Sequence, residues 1–132
     1  MLNIGSVTWI EKATNIILMN NLVYAFILFS VGQAIIWIQS NGQFLWPWWK
    51  NNPLLVSFTL GGIASYIFIK ATYYTYTYFD NTLWPGRFIG FASGILVFAL
   101  LTWLLMNEGI NTKTVVSLCL ATALLAVQIF WK

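Results

Sequence analysis

Hydrophobic positions gather into four long runs, residues 22–39, 53–69, 88–106 and 114–131, none of which contains Asp, Glu, Lys, Arg or His. A hydrocarbon core of roughly 30 Å is crossed by about 20 helical residues rising 1.5 Å each. Each run therefore predicts one membrane-spanning helix. Polar and turn-forming residues set the ends. Ser40-Asn41-Gly42-Gln43 reads as a turn closing the first span. Pro53 is well placed as the first residue of the second. That span runs past Lys70 into the unusual segment Thr72-Tyr73-Tyr74-Thr75-Tyr76-Thr77-Tyr78-Phe79, until Asp80-Asn81-Thr82 breaks the pattern. Asp80 or Asn81 is placed to cap the third helix. The loop Asn107-Glu108-Gly109-Ile110-Asn111-Thr112 is short enough to make the last two spans antiparallel neighbours. The predicted spans are residues 22–39, 53–78, 83–106 and 114–131.

Ahead of them, Trp9, Ala13, Ile16 and Ile17 recur at helical spacing opposite Thr8, Glu11, Lys12 and Asn15. This is the pattern of a helix lying in the membrane surface; a loosely ordered leader is the other reading of the same residues. No basic stretch precedes an apolar one, so a signal peptide is not indicated. The fold class is thus an all-α membrane protein, with an N-terminal interfacial segment (residues 1–20) and a four-helix transmembrane domain (residues 21–132).

Composition sharpens this reading. Of 132 residues 60% are apolar and 7% charged, against about 25% charged in soluble domains, so a water-soluble fold would leave large apolar surfaces uncovered. The net charge of +3 is scattered rather than clustered, which leaves no electrostatic footprint for nucleic acid. There is no histidine and one cysteine, Cys119. Hydrolase triads, His-based zinc sites and intrachain disulfides are excluded. Neither a cofactor nor a metal is expected, and with no acid pair at useful spacing an enzyme is not expected either.

Trp46-Pro47-Trp48-Trp49-Lys50 reads as an interfacial aromatic belt. Lys50 and Lys113 fall on one side of the membrane. Lys12, Arg87 and Lys132 fall on the other, with Lys70 near them. This small bias places both termini in the cytoplasm, and it is compatible with insertion both ways. The expected location is the cell (inner) membrane.

Gly86, Gly90 and Gly94, at i, i+4 and i+8, form a smooth stripe for close helix packing, with the partner helix unspecified. Ser117, Ala121, Thr122 and Ala126 form a weaker small-residue pattern. Polar groups inside a membrane are functional candidates. Ser30, Gln33 and Trp37 share one face of the first span. Arg87 opens the third span, either paired with Asp80 or facing a cavity, where its planar fork would hold a carboxylate or phosphate. Lys70 either snorkels to the headgroups or faces a polar cavity. Glu108 is expected in solvent.

Several stretches resemble the small multidrug resistance transporters and, more broadly, the drug/metabolite transporter superfamily. Ile27-Leu28-Phe29-Ser30-Val31 and Asn41-Gly42-Gln43-Phe44-Leu45-Trp46-Pro47 are similar to that family's first helix and following loop. Ala64-Ser65-Tyr66 and Lys70-Ala71 resemble its second helix. Gly94-Ile95-Leu96, Leu101-Thr102-Trp103 and Asn107-Glu108-Gly109-Ile110-Asn111 resemble the end of its third, and Gln128-Ile129 its fourth. The resemblance covers residues 23–131 and implies a homodimer, often with two copies in opposite orientations. It also implies a membrane-embedded glutamate, but Ser30 stands at that position and cannot cycle a proton near neutral pH.

The expectation is a small transporter in which a homodimer encloses a cavity lined by Ser30, Gln33, Trp37, Tyr66, Tyr73 and Arg87. A small polar or anionic metabolite would cross by alternating access, with the third helix flexing near Gly90 and Gly94. The alternative expectation is a non-transporting membrane subunit that scaffolds or anchors a larger complex. In both, membrane lipid is a partner and nucleic acid is not.

Overall fold

The computed structural model describes residues 4–131. Among them five helices follow one another: α1 (Ile4–Leu45), α2 (Pro47–Asn51), α3 (Pro53–Tyr78), α4 (Trp84–Met106) and α5 (Thr112–Phe130). Four of these, all but α2, are long and apolar enough to cross a membrane. The chain is an all-α, multi-pass membrane protein.

Helix α1 has 42 residues, about 63 Å at 1.5 Å each, twice the hydrocarbon thickness. It joins residues 4–20 of the expected interfacial segment to the first span without a break, because residues 6–31 contain neither Gly nor Pro; residues 1–3 of that segment lie outside the described residues. The turn expected at residues 40–43 is also helical. Its polar side chains bond back to their own helix: Asn41 Nδ2 donates to the Trp37 carbonyl at 3.0 Å and Gln43 Nε2 to the Ser40 carbonyl at 2.9 Å. The chain breaks instead at Trp46, φ −127° and ψ 121°, because the following Pro47 drives the residue before it out of the helical region. Trp49 then folds back over Gly42; a Cβ at Gly42 would stand 2.8 Å from the indole nitrogen. With Trp46 and Trp48 packed against it, the tryptophan belt is one cluster at the α1–α3 corner.

The α3–α4 turn corrects the expected cap. The N-cap of α4 is Leu83, without a side-chain cap bond. Asp80 and Asn81 instead take left-handed backbone, φ 48° and 63°, which short polar side chains tolerate. The Asn81 N–H donates to the Tyr76 carbonyl at 2.9 Å, a Schellman-type closure of α3. Asn107, also left-handed, ends α4. Asn111 caps α5 by accepting from the Thr114 N–H at 3.0 Å.

Helices α1, α3, α4 and α5 alternate in direction, so α1 and α4 run parallel. Helix α1 packs along both α3 and α4, while α5 lies on α4. The core is narrow and made of small, aliphatic and aromatic residues, among them Leu22, Ala25, Phe29 and Trp37 from α1; Val56, Ala64, Ala71 and Thr75 from α3; Ile89, Ala92 and Ser93 from α4. Lipid provides no hydrophobic drive between helices, so close backbone approach takes its place. The Gly86-Gly90-Gly94 stripe is consumed inside the chain. A Cβ at Gly86 would strike the Thr75 hydroxyl, one at Gly90 would meet the Phe29 ring at 3.0 Å, and one at Gly94 would meet the Gln33 amide at 2.9 Å. Helix α5 contributes a single buried residue, Ala121.

Candidate functional site

Gln33 reaches α4 because glycine leaves room for it. Its side chain lies in the notch between Gly90 and Gly94, and its Nε2 donates to the Gly90 carbonyl at 3.1 Å. One turn further along α1, Trp37 is buried and its Nε1 donates to Thr102 Oγ1 at 2.9 Å. These two bonds tie α1 to α4.

Above Gln33 a groove of about 490 Å³ opens between α1, α3 and α4. Phe29, Phe68 and Phe91 supply its apolar walls, Gly86 and Gly90 its floor, and Thr72 and Arg87 its polar edge. No carboxylate of the described residues lines it. Arg87 sits in the first turn of α4, where no acidic residue stands. The partial positive charge of a helix N-terminus therefore adds to the guanidinium rather than being cancelled. Asp80, the partner weighed for Arg87, lines a different groove with Pro85 and Gln128. The Arg87 groove can hold an anion, with aromatic rings for an apolar remainder.

A second groove of about 420 Å³ runs between α4 and α5, from Gln33 past Phe98 and Thr102 to Glu108 at its mouth. Gln33 is thus the wall between a cationic groove and one with an acid at its rim.

The six expected lining residues separate. Gln33 and Arg87 come together. Trp37 is spent on Thr102. Ser30, half-buried, turns its hydroxyl back to the Phe26 carbonyl at 2.9 Å. Tyr66 and Tyr73 are 62% and 61% exposed on the outer side of α3. Tyr66 lines a separate cleft with Tyr24, Lys70 and Tyr74, and Tyr73 packs edge-on against Tyr74. Sequence reasoning passed over Thr72 and Thr102. A signal for Thr102 was its position as the only hydroxyl between Ser93 and the α4 terminus, since a lone hydroxyl inside an apolar span seeks a partner on another helix.

Set against known protein families, curated proteins and solved structures, the chain has no match in any of the three.

Proposed function

We propose that the chain is a small transporter of the drug/metabolite type. It would move a small polar or anionic metabolite across the cell membrane as a homodimer by alternating access, with both termini in the cytoplasm. One observation carries this reading: Arg87 and Gln33 converge on a groove of about 490 Å³ that no carboxylate of the described residues lines. An arginine at the membrane boundary facing an aromatic groove is arranged to meet an anion that arrives from outside the chain. The groove is open at its side, and a second copy closing it would supply the enclosure that alternating access needs. Ser30 in place of an embedded acid argues against proton exchange at that position, so the driving ion would be the substrate anion itself or a co-transported one.

The test is charge movement in proteoliposomes on a solid-supported membrane, with concentration jumps of small carboxylates and phosphate esters. Currents that fall about tenfold or more in Arg87→Gln fit the loss of one charge-assisted contact. Currents that survive both Arg87→Gln and Gln33→Ala would remove the site.

A second reading, a non-transporting subunit that anchors a larger complex, draws on α5. That helix buries only Ala121 and leaves Val116, Leu120 and Phe130 exposed, a face free for another protein. Because the glycine stripe is occupied within the chain, a foreign subunit would have to seat there. A purified protein that stays monomeric and gives no current with any substrate would favour this reading.

A further inference from the structure

On the outer side of the α1–α3 seam, away from the Arg87 groove, Tyr66, Lys70 and Tyr74 stand at i, i+4 and i+8 on one face of α3. Tyr24 joins them from α1, with Leu28 and Ile67 beneath. The cleft they form is small, about 280 Å³. Its parts are held in place: Tyr24 meets Tyr74 edge-on with ring centroids 5.0 Å apart, and Lys70 Nζ lies 5.9 Å above the Tyr66 ring. The ammonium is thus placed at the cleft, beside the Tyr66 ring. None of the three phenol hydroxyls has a hydrogen-bond partner among the described residues. No carboxylate of the described residues lines the cleft. It therefore offers one cation and three O–H donors and nothing that would neutralise them.

Depth identifies what can reach it. The charge-free part of α3, residues 53–69, is about 26 Å long at 1.5 Å per residue and ends where Lys70 begins. Tyr24 stands near the start of the apolar run of α1, just after Asn20 and Asn21, and Arg87 borders the charge-free part of α4. All three mark the same boundary between hydrocarbon and headgroups. Below the cleft, toward the membrane centre, Ile27 and Val31 of α1 and Ile63 of α3 are exposed, an apolar track for acyl chains. Lysine is a compact point charge suited to phosphate, and basic residues at a membrane boundary draw anionic lipid.

We propose that Tyr24, Tyr66, Lys70 and Tyr74 form a seat for a phosphate oxyanion, filled in the membrane by the phosphodiester of an anionic phospholipid. A zwitterionic lipid fits less well, since the cleft has no carboxylate for its ammonium. The seat does not rest on the transport reading, because it shares no residue with the Arg87 groove.

The experiment reads lipid retention by native mass spectrometry. Full-length protein is taken from vesicles of phosphatidylcholine and phosphatidylglycerol in equal amounts, with circular dichroism to confirm that each variant is folded. Phosphatidylglycerol should be retained in several-fold excess. The excess should vanish in Lys70→Gln, fall in Tyr66→Phe and Tyr74→Phe, which keep the rings, and persist in Lys70→Arg and in the control Lys113→Gln at the opposite end. A second arm titrates inorganic phosphate and follows tyrosine fluorescence. Saturable, Lys70-dependent quenching without any lipid preference would keep the phosphate seat but overturn the lipid as its occupant. Equal retention of both lipids and no response to phosphate would overturn the seat itself.

Discussion

The side chains that matter here are those with one donor and one place to put it. Trp37 and Thr102 bond at 2.9 Å in the buried centre of the bundle. Interhelical hydrogen bonds of this kind are worth about 0.6 kcal/mol on average and up to about 1.7 in membrane proteins. Trp37→Phe and Thr102→Val should each destabilise the fold, and the double variant should cost less than the sum, with a coupling in that range read from unfolding in mixed micelles. Gly86 gives a steric counterpart. Gly86→Ala drives a methyl group into the stiff, β-branched Thr75 and should destabilise by about 1–3 kcal/mol; pairing it with Thr75→Ala should restore much of the loss. Gly62→Ala, where nothing stands within 4 Å of the new methyl, should leave the melting temperature unchanged or raised. Of these contacts the sequence showed the glycine stripe and Trp37 but not their partners. Partnership depends on how α1 is rotated against α4, and residue identity along one helix does not encode that rotation.

At the scale of the element, helix number and approximate ends follow from charge-free length. Pro47 and the Asp80-Asn81 pair mark real corners. What escaped was α1. Within the turn-like stretch at residues 40–43, Asn41 and Gln43 bond to their own helix instead, and the break waits for proline. The first part of α1 has little tertiary support: residues 8–17 are all exposed, and the contact of the Tyr78 hydroxyl with Met19 Sδ at 3.8 Å begins only beyond them. A chain starting at Ile16 should therefore keep the melting temperature of the whole protein, measured in the same detergent. A clear loss would mean that these residues hold the bundle through contacts the single chain does not make. Tyr66 and Tyr73, expected beside Gln33 and Arg87, lie on the outer side of α3 in the single chain. Around Tyr73, the unbroken run of tyrosines and threonines at residues 72–78 covers every face of α3, and spacing alone does not select the inner one.

For the whole molecule, the fold is a narrow bundle with α5 attached along α4 only. The homodimer proposed for transport predicts a particle of twice 15.0 kDa after detergent and lipid are subtracted, measured by light scattering with absorbance and refractive index. Cysteine labelling of a Cys119→Ala chain carrying Lys132→Cys should then report whether the carboxyl end is reached from both faces of sealed vesicles, as opposed orientations require, or from one. The two hydrogen bonds between α1 and α4 join residues 57 and 65 positions apart in the chain. That separation has a consequence for biogenesis. When α1 leaves the ribosome and enters the bilayer, the Gln33 amide and the Trp37 indole have no partner, and they wait through the synthesis of α2 and α3 before Gly90 and Thr102 arrive. Nascent chains arrested before Gly90 should stay crosslinkable to the insertion machinery through positions beside Gln33, whereas chains arrested well beyond Thr102 should be released to lipid.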